Sequence, residues 1–224
     1  MIYLERAFSQ HFTPDELPAA VRAALGKPLR RAAALTQLAV VGAFAALPEA
    51  ARSQPCALLW QSTSGPRPET LTLLNEMCHG AGEPMPYDFL ATQPAIAAAQ
   101  LQPLLPGLRS ASHLPLASDT GADWHLLLTL AATWLAEGRY ARVLCAQLDH
   151  WGEQAIGHWL SLTADQLETS QASLQITSQA IDDAHADHPD FPVALAGWLE
   201  AGKPSTLTLR SPAQPALAVE FARL

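Results

Sequence analysis

The stretch Ser118–His150, SDTGADWHLLLTLAATWLAEGRYARVLCAQLDH, decides how the whole chain is read. A tight turn, SDTGAD, opens a helix over Gly121–Glu137, with Ala122 in its first turn, and Gly138 closes it. Thr120 is placed to cap that helix. Asp123 stands three residues on, the T-x-x-D variant of a capping box, in which two side chains satisfy each other's orphan backbone donors. Leu126, Leu127, Leu128, Leu130, Trp134 and Leu135 cover more than one face, so the helix is expected to be largely buried. The apolar strand Val143–Leu148 follows and ends in Asp149. The N-terminus of such a helix aims unpaired N–H groups at whatever lies above it. A turn of this kind suits a nucleophile, because a low-pKa thiol or a developing oxyanion is favoured there.

Outward from this unit, the chain alternates helix and strand. Ile2–Phe8 reads as an opening strand, Pro14–Leu25 as a short helical or irregular excursion, and Arg30–Leu47 as a strong helix apolar on most sides. Cys56–Gln61 is an apolar run bounded by turn residues, hence a buried strand. Ser62–Pro68 (STSGPRP) leads into a helix over Glu69–Met77, and Cys78–Pro86 (CHGAGEPMP) is a Gly- and Pro-rich loop. Phe89–Leu105 is helical from about Gln93, and Leu108–Leu116 is a short strand leading into the central turn. After Asp149 come a loop to Gly157, a weakly amphipathic Trp159–Ile181, a His- and Asp-rich loop and a helix at Val193–Ala201. Ser205–Arg210 and Leu217–Phe221 form a closing β-hairpin. The alternation predicts an α/β fold with a mostly parallel sheet and helices on both faces.

Composition narrows the function classes. The 224 residues are 49% hydrophobic and 15% charged, a globular balance, and a single domain over 1–224 is expected. A net charge of -8 leaves no basic stripe to neutralise phosphates, which excludes a nucleic-acid partner; the one small basic cluster is Lys27, Arg30 and Arg31. Cys56, Cys78 and Cys145 are odd in number and far apart, so neither a disulfide framework nor a zinc site is expected, and a reducing cytoplasm fits. MIYLERAFSQHF lacks the layout of a signal peptide, and the apolar part of Arg31–Leu47 falls short of the roughly 20 residues a membrane span needs.

Asp119-Thr120-Gly121-Ala122-Asp123-Trp124, Leu135-Ala136-Glu137-Gly138 and Val143-Leu144-Cys145-Ala146 together resemble the nucleophile elbow of the β-ketoacyl-acyl-carrier-protein synthases of the thiolase superfamily. That family reads Asp-Thr-Ala-Cys-Ser-Ser, an apolar helix, Leu-x-x-Gly and an apolar strand. Met85-Pro86-Tyr87-Asp88-Phe89-Leu90-Ala91-Thr92 and Ala95-Ile96-Ala97-Ala98-Ala99 are similar to the family's Pro-x-x-Phe entry and small-residue helix. The resemblance places Ala122 where the family has its cysteine, so Thr120, Gly121, Ala122 and Asp123 form an elbow without a nucleophile. It implies a thiolase-like half-unit over residues 1–150 with an extension over 151–224. The family's second half, with its His-Gly-Thr-Gly-Thr motif and further His or Asn, finds no match, and the chain is expected to end before such a half is built.

The resemblance therefore implies a non-catalytic, chain-length-factor-like partner in fatty-acid or polyketide assembly. An active synthase and acyl carrier protein are the implied partners, and no cofactor, metal or catalytic residue is expected. Two other readings stand beside it: a small acyl-thioester-handling enzyme with a non-family nucleophile, and a free-standing binder of acyl chains or carrier protein. Homo- or heterodimerisation is expected through Leu108–Leu116, with Ser112 and Leu114 as interface positions. Asp182–Asp190 carries His-x-x-His spacing but reads as a solvated acidic loop, and Cys78-His79 as neighbours that point apart.

Overall fold

The computed structural model describes residues 1–80, 82–116, 121–178, 184–210 and 217–224. The nine strands among these described residues belong to one sheet. The opening strand β1 spans Ile2–Phe12, and helices α1 (Glu16–Leu25) and α2 (Ala34–Ala46) follow it. Next come β2 (Cys56–Gln61), α3 (Arg67–His79), α4 (Pro86–Ala91), α5 (Ala95–Leu101) and β3 (Leu108–His113). The central helix α6 (Trp124–Ala136) leads into a hairpin of β4 (Arg142–Trp151) and β5 (Gln154–Thr163). The chain closes with β6 (Ala172–Thr177), β7 (His185–Ala186), α7 (Phe191–Ala201), β8 (Thr206–Arg210) and β9 (Ala218–Arg223).

The order across the sheet is β3-β2-β4-β5-β1-β6-β9-β8-β7. Two cores lie on its opposite faces. One packs α6 and α7 against Ala57, Leu59, Val143, Cys145, Leu160 and Leu162; the other packs α1, α2 and α5 against Leu58, Trp60, Leu144, Ala146 and Trp159. This is the expected α/β layering with helices on both faces. Alternate residues of β2, β4 and β5 feed different cores, which is why these strands are buried almost throughout. α2 reaches the sheet closely because Gly42 has no side chain: a Cβ there would overlap the Trp159 indole.

Parallel pairing is confined to β3-β2-β4 and the short β7·β8 pair, and the other five pairings are antiparallel, so the sheet is mixed. One source of antiparallel pairing is the segment after Asp149. Expected as a loop, it instead continues β4 to Trp151, turns at Gly152 with φ 54° and returns as β5. A positive φ at a two-residue connection is what a tight hairpin needs. Trp159–Ile181, read as weakly amphipathic, contributes β5 and β6 rather than helix; β5 is buried from Gly157 onward, so no one-sided pattern shows in its sequence.

The second part of the chain echoes the first. Outward from β1 the first set runs β5, β4, β2, β3; outward from β6 the second runs β9, β8, β7. Matched in that order, the pairings have the same sense: antiparallel, antiparallel, then parallel. α7 precedes β8 as α6 precedes β4, and both helices cover the same face of the sheet. The counterpart of β3 is absent among the described residues. The half-unit is thus followed by a reduced copy of itself, joined to it by the antiparallel contact of Ile2–Leu4 with Ala172–Leu174. The division expected at residue 150 falls inside the β4–β5 hairpin.

Candidate functional site

The ends of β2 and β4 converge on the N-terminus of α6. On the face that α6 covers, the rows begin apolar, with Ala57, Val143 and Leu162, and end polar, with Gln61, Gln147 and His158 at successive cross-strand positions. This polar end of an otherwise apolar face is where the candidate elbow sits.

Gly121 takes φ 74°, a left-handed conformation that glycine adopts without strain, and its carbonyl accepts from Thr63 Oγ1 at 2.7 Å and Gln147 Nε2 at 3.3 Å. Ala122 follows, 1% exposed, with a methyl group at the position the resemblance assigns to a nucleophile. It precedes the helix instead of lying in its first turn, because the Asp123 N–H goes to Gln61 Oε1 at 3.0 Å and α6 begins only at Trp124. Asp123 is therefore the N-cap residue, and its side chain makes no capping hydrogen bond. The expected capping box is corrected on this point; Thr120, its other member, lies outside the described residues, as do Asp182 and Asp183.

The cap of α6 comes from far along the chain. Asp187 turns its carboxylate onto the helix N-terminus: Trp124 N–H donates to Oδ1 at 2.9 Å and His125 N–H to Oδ2 at 3.1 Å. The Trp124 indole N–H adds a bond to the Pro189 carbonyl at 3.1 Å. Asp187 is 2% exposed, although the sequence places it in an acidic, solvated-looking loop. Desolvation raises its pKa, and the two backbone N–H groups pull it back down. The donors that a nucleophile elbow would offer to a substrate oxyanion are thus held by an internal anion.

Asp149 organises the floor. Its Oδ1 accepts from Thr63 N and Ser64 N, each at 2.7 Å, and from Ser62 Oγ at 3.1 Å, while Oδ2 accepts from Gln147 Nε2 at 2.7 Å. One carboxylate at the end of β4 therefore fixes the whole loop after β2. The alternation Cys145, Gln147, Asp149 on one face of β4 was the available sequence signal for this hub. Asp187 left no comparable signal, since nothing local to it marks the helix it caps.

Other candidates disperse. His185 is exposed on β7, His188 bonds Asp190, and among the described residues no group of three His, Cys, Asp or Glu side chains could hold a metal ion. Cys78 is exposed near the end of α3. Cys145 lies under α6, where burial pushes its thiol pKa up, and burial holds Cys56 at about 11. Ser112 and Leu114 belong to the edge strand β3 and its continuation, but the Leu114 N–H donates to Trp60 O at 2.8 Å, so this phase of the strand faces β2. By alternation the outward-facing backbone groups are those of Arg109, Ala111 and His113.

His125 is fully buried behind the elbow. Burial lowers its pKa, against smaller opposing pulls from the Leu217 backbone and Asp123. A lowered folded pKa means that the unfolded chain takes up the proton first, so this contribution to stability is lost as pH falls through the ordinary histidine value of 6.5. Asp123 and Asp187, both raised by burial, act in the opposite sense from the carboxylate range upward. The expected result is that His125→Asn flattens the drop in melting temperature between neutral and mildly acidic pH. An identical slope in wild type and variant would refute the assignment.

No family model and no curated protein sequence matches the chain. Solved structures do match it in fold. A chain of the complex of the ketosynthase ApeO with its chain length factor ApeC, from Xenorhabdus doucetiae, aligns with a TM-score of 0.57 at 15% identity, covering 99% of this chain and 99% of that one. The ishigamide ketosynthase/chain length factor gives 0.59 at 13% identity, covering 100% and 99%. AntDE:AntF, a type II PKS acyl-carrier protein in complex with its ketosynthase, gives 0.60 at 11% identity with the same coverage. The chain has the thiolase-like fold of these structures. No helix among the described residues is long and apolar enough to cross a membrane.

Proposed function

We propose that this chain is a non-catalytic, chain-length-factor-like partner of an active ketosynthase, working in polyketide or fatty-acid assembly on acyl-carrier-protein substrates. One observation carries the reading: the elbow holds Ala122 in place of a nucleophile, and the α6 N–H groups behind it are capped by Asp187. An alanine methyl cannot attack a thioester, and a capped helix end offers no oxyanion site. The fold neighbours, ketosynthase and chain-length-factor structures, support the same reading. The role would be to shape or stabilise a partner's acyl tunnel.

The chemistry is tested by substitution. Ala122→Cys is expected to leave condensation of malonyl-carrier thioester undetectable, because a buried thiol without donors at the helix end supplies only one part of the machinery. Turnover by the wild-type chain would overturn the proposal.

Association is tested separately. β3 is an edge strand, and six large apolar side chains (Leu71, Leu74, Met77, Met85, Phe89 and Leu90) are exposed on and around α3 and α4, which pack on each other. Apolar surface of this kind commonly marks an interface, and strand pairing would satisfy the open edge. Ala111→Pro, which removes an outward N–H, is expected to weaken a complex with a co-expressed ketosynthase by roughly tenfold while preserving the melting temperature. Ser112→Pro and a charge at Leu114 strike the β2 ladder and the core instead, and are expected to destabilise the monomer. A clean monomer by light scattering, unchanged by a co-expressed ketosynthase, defeats the association claim.

A further inference from the structure

β5 flanks β1 along nearly its whole length, but β6 flanks it only over Ile2–Leu4. Beyond that point the second edge of β1 has no strand partner among the described residues. The backbone of Leu4 faces β6, where its carbonyl accepts from the Gln171 N–H at 2.8 Å. Tyr3 therefore faces β5, opposite Thr163. Alternation along β5 gives the same side to Arg6, Phe8, Gln10 and Phe12, which stand opposite Ser161, Trp159, Gly157 and Ala155. The N–H and C=O groups of Ala7, Ser9 and His11 point the other way, out of the sheet edge, and meet no hydrogen-bond partner among the described residues. We infer that this open edge of β1 pairs antiparallel with the same edge of a second copy of the chain, about a two-fold axis at Ser9. The inference goes beyond the ketosynthase-partner reading and does not rest on it.

What flanks the slot dictates the register. Centred on Ser9, the pairing sets Ser9 against Ser9 of the partner subunit and Ala7 against the partner's His11. Every outward group of the stretch then finds its complement, as a two-fold contact requires. Centring on Ala7 would drive the second strand into Gln171, which already holds the Leu4 carbonyl. Centring on His11 would carry it past Phe12, where the chain turns at Thr13 into α1.

The side chains fit the same register. Arg6, Phe8, Gln10 and Phe12 lie on the sheet face that α2 covers: Phe8 and Phe12 pack partly buried against that core, and Arg6 Nη1 donates to the Ala45 carbonyl at 2.8 Å. A cavity of ≈ 330 Å³ opens at this end of the slot, lined by Arg6, Ala7, Phe8, Ala45 and Gln171. The Ser9-centred pairing stands the partner's Phe12 directly across from Arg6, where its ring covers the cavity and meets the guanidinium. On the other face the Ser9 hydroxyl is 2.6 Å from His158 Nδ1, which holds this side chain on its own sheet and leaves the backbone clear. The edge from Ala7 to His11 carries no Lys and no Pro, and the register shift of β1 lies before it, so none of these common devices blunts it. A second copy is favoured over an unrelated extended peptide because the open groups are symmetric about Ser9 and the chain supplies its own aromatic residue for the cavity.

The test uses the purified chain alone. Sedimentation is expected to show a monomer–dimer equilibrium at micromolar concentration. His11→Pro removes an outward N–H that β5 does not use; it is expected to weaken the dimer roughly tenfold or more and to keep the melting temperature. A cross-link decides the register even where association is weak or that variant is unstable. Directly opposed residues of a hydrogen-bonded pair have Cα atoms about 5.5 Å apart, within disulfide reach. Ser9→Cys, with Cys78→Ser to remove the exposed native thiol, is therefore expected to give a disulfide-linked dimer under mild oxidation. Ala7→Cys in the same background is expected to stay unlinked, because its two copies lie roughly 14 Å apart along the paired strands. A monomer at every concentration with no Ser9→Cys cross-link overturns the inference, as does equal linking of Ala7→Cys and Ser9→Cys, or a folded His11→Pro variant that dimerises as wild type does. Ala111→Pro on β3 is expected to leave this homodimer intact, so its failure and that of the ketosynthase association are read separately.

Discussion

Glu5→Ala is expected to lower the stability of this fold by about 3–5 kcal/mol, the range found when one partner of a buried ion pair is removed. Glu5 lies where the β1–β5 register slips between Leu4 and Arg6, and its side chain is 2% exposed. Its Oε2 accepts from Arg142 Nε at 3.0 Å, two strands away on β4, and from Ser161 Oγ at 3.4 Å on the strand between; Thr169 Oγ1 reaches Oε1 at 3.4 Å. Arg142 is itself buried, with its other contact to Gln54 Oε1 at 2.5 Å. Truncating Glu5 leaves a guanidinium in the sheet without its counter-charge. The melting temperature should fall by roughly 6–20 °C for a chain of this size. The double variant Glu5→Leu/Arg142→Met should recover most of the loss, since removing both charges also removes their desolvation cost. A single-variant loss below about 1 kcal/mol would show that Arg142 finds another partner and the pair is dispensable.

Asp149→Ala carries the second large effect, and it separates local from global damage. Four donors lose this acceptor; the Ser64 N–H is buried, while the Gln147 amide keeps Thr63 Oγ1 at 2.9 Å and the Gly121 carbonyl at 3.3 Å. A buried donor left unsatisfied costs about 1–3 kcal/mol, so a loss of roughly 1–3 kcal/mol is expected. The Thr63 and Ser64 amides should also exchange hydrogen much faster than those of β2, because the loop after β2 is tied down mainly through this carboxylate. Asp149→Asn keeps an oxygen for the two backbone donors but turns an amide donor toward Gln147, so an intermediate loss is expected. Equal protection of the loop in wild type and Asp149→Ala would place its anchor elsewhere.

Much of this architecture was legible in the sequence where a segment's surroundings are local. Cys56–Gln61 is an unbroken apolar run with turns on either side, and it is β2 to the residue. The helix of the elbow declared itself because Leu126, Leu127, Leu128, Trp134 and Leu135 leave no polar face wide enough for solvent. Legibility failed where partners are distant in sequence. His158 sits in a strand buried on both faces, so period-2 alternation is masked, and its pairing with Ser9 is set by register across 149 residues. Asp187 looks like one more acid in a polar loop; only the fold shows that two N–H groups of α6 require it. The closing strands leave little trace for a related reason: β7 is two residues long, too short to carry any pattern.

The first strand has a consequence for how the molecule is made. Every strand that pairs with Ile2–Phe12 comes later in the chain, with partners at Ala155 or beyond. A chain emerging N-terminus first therefore presents its longest strand with nothing to pair with until most of the polypeptide has been synthesised. The segment from β2 to β4 carries its own parallel ladder and the helix that covers it, and can begin to consolidate earlier. β1 is then inserted late, between two strands made after β2 to β4, a topology of widely separated contacts that folds slowly. During that interval its alternating polar side chains, Glu5, Ser9 and His11, keep the waiting strand in water.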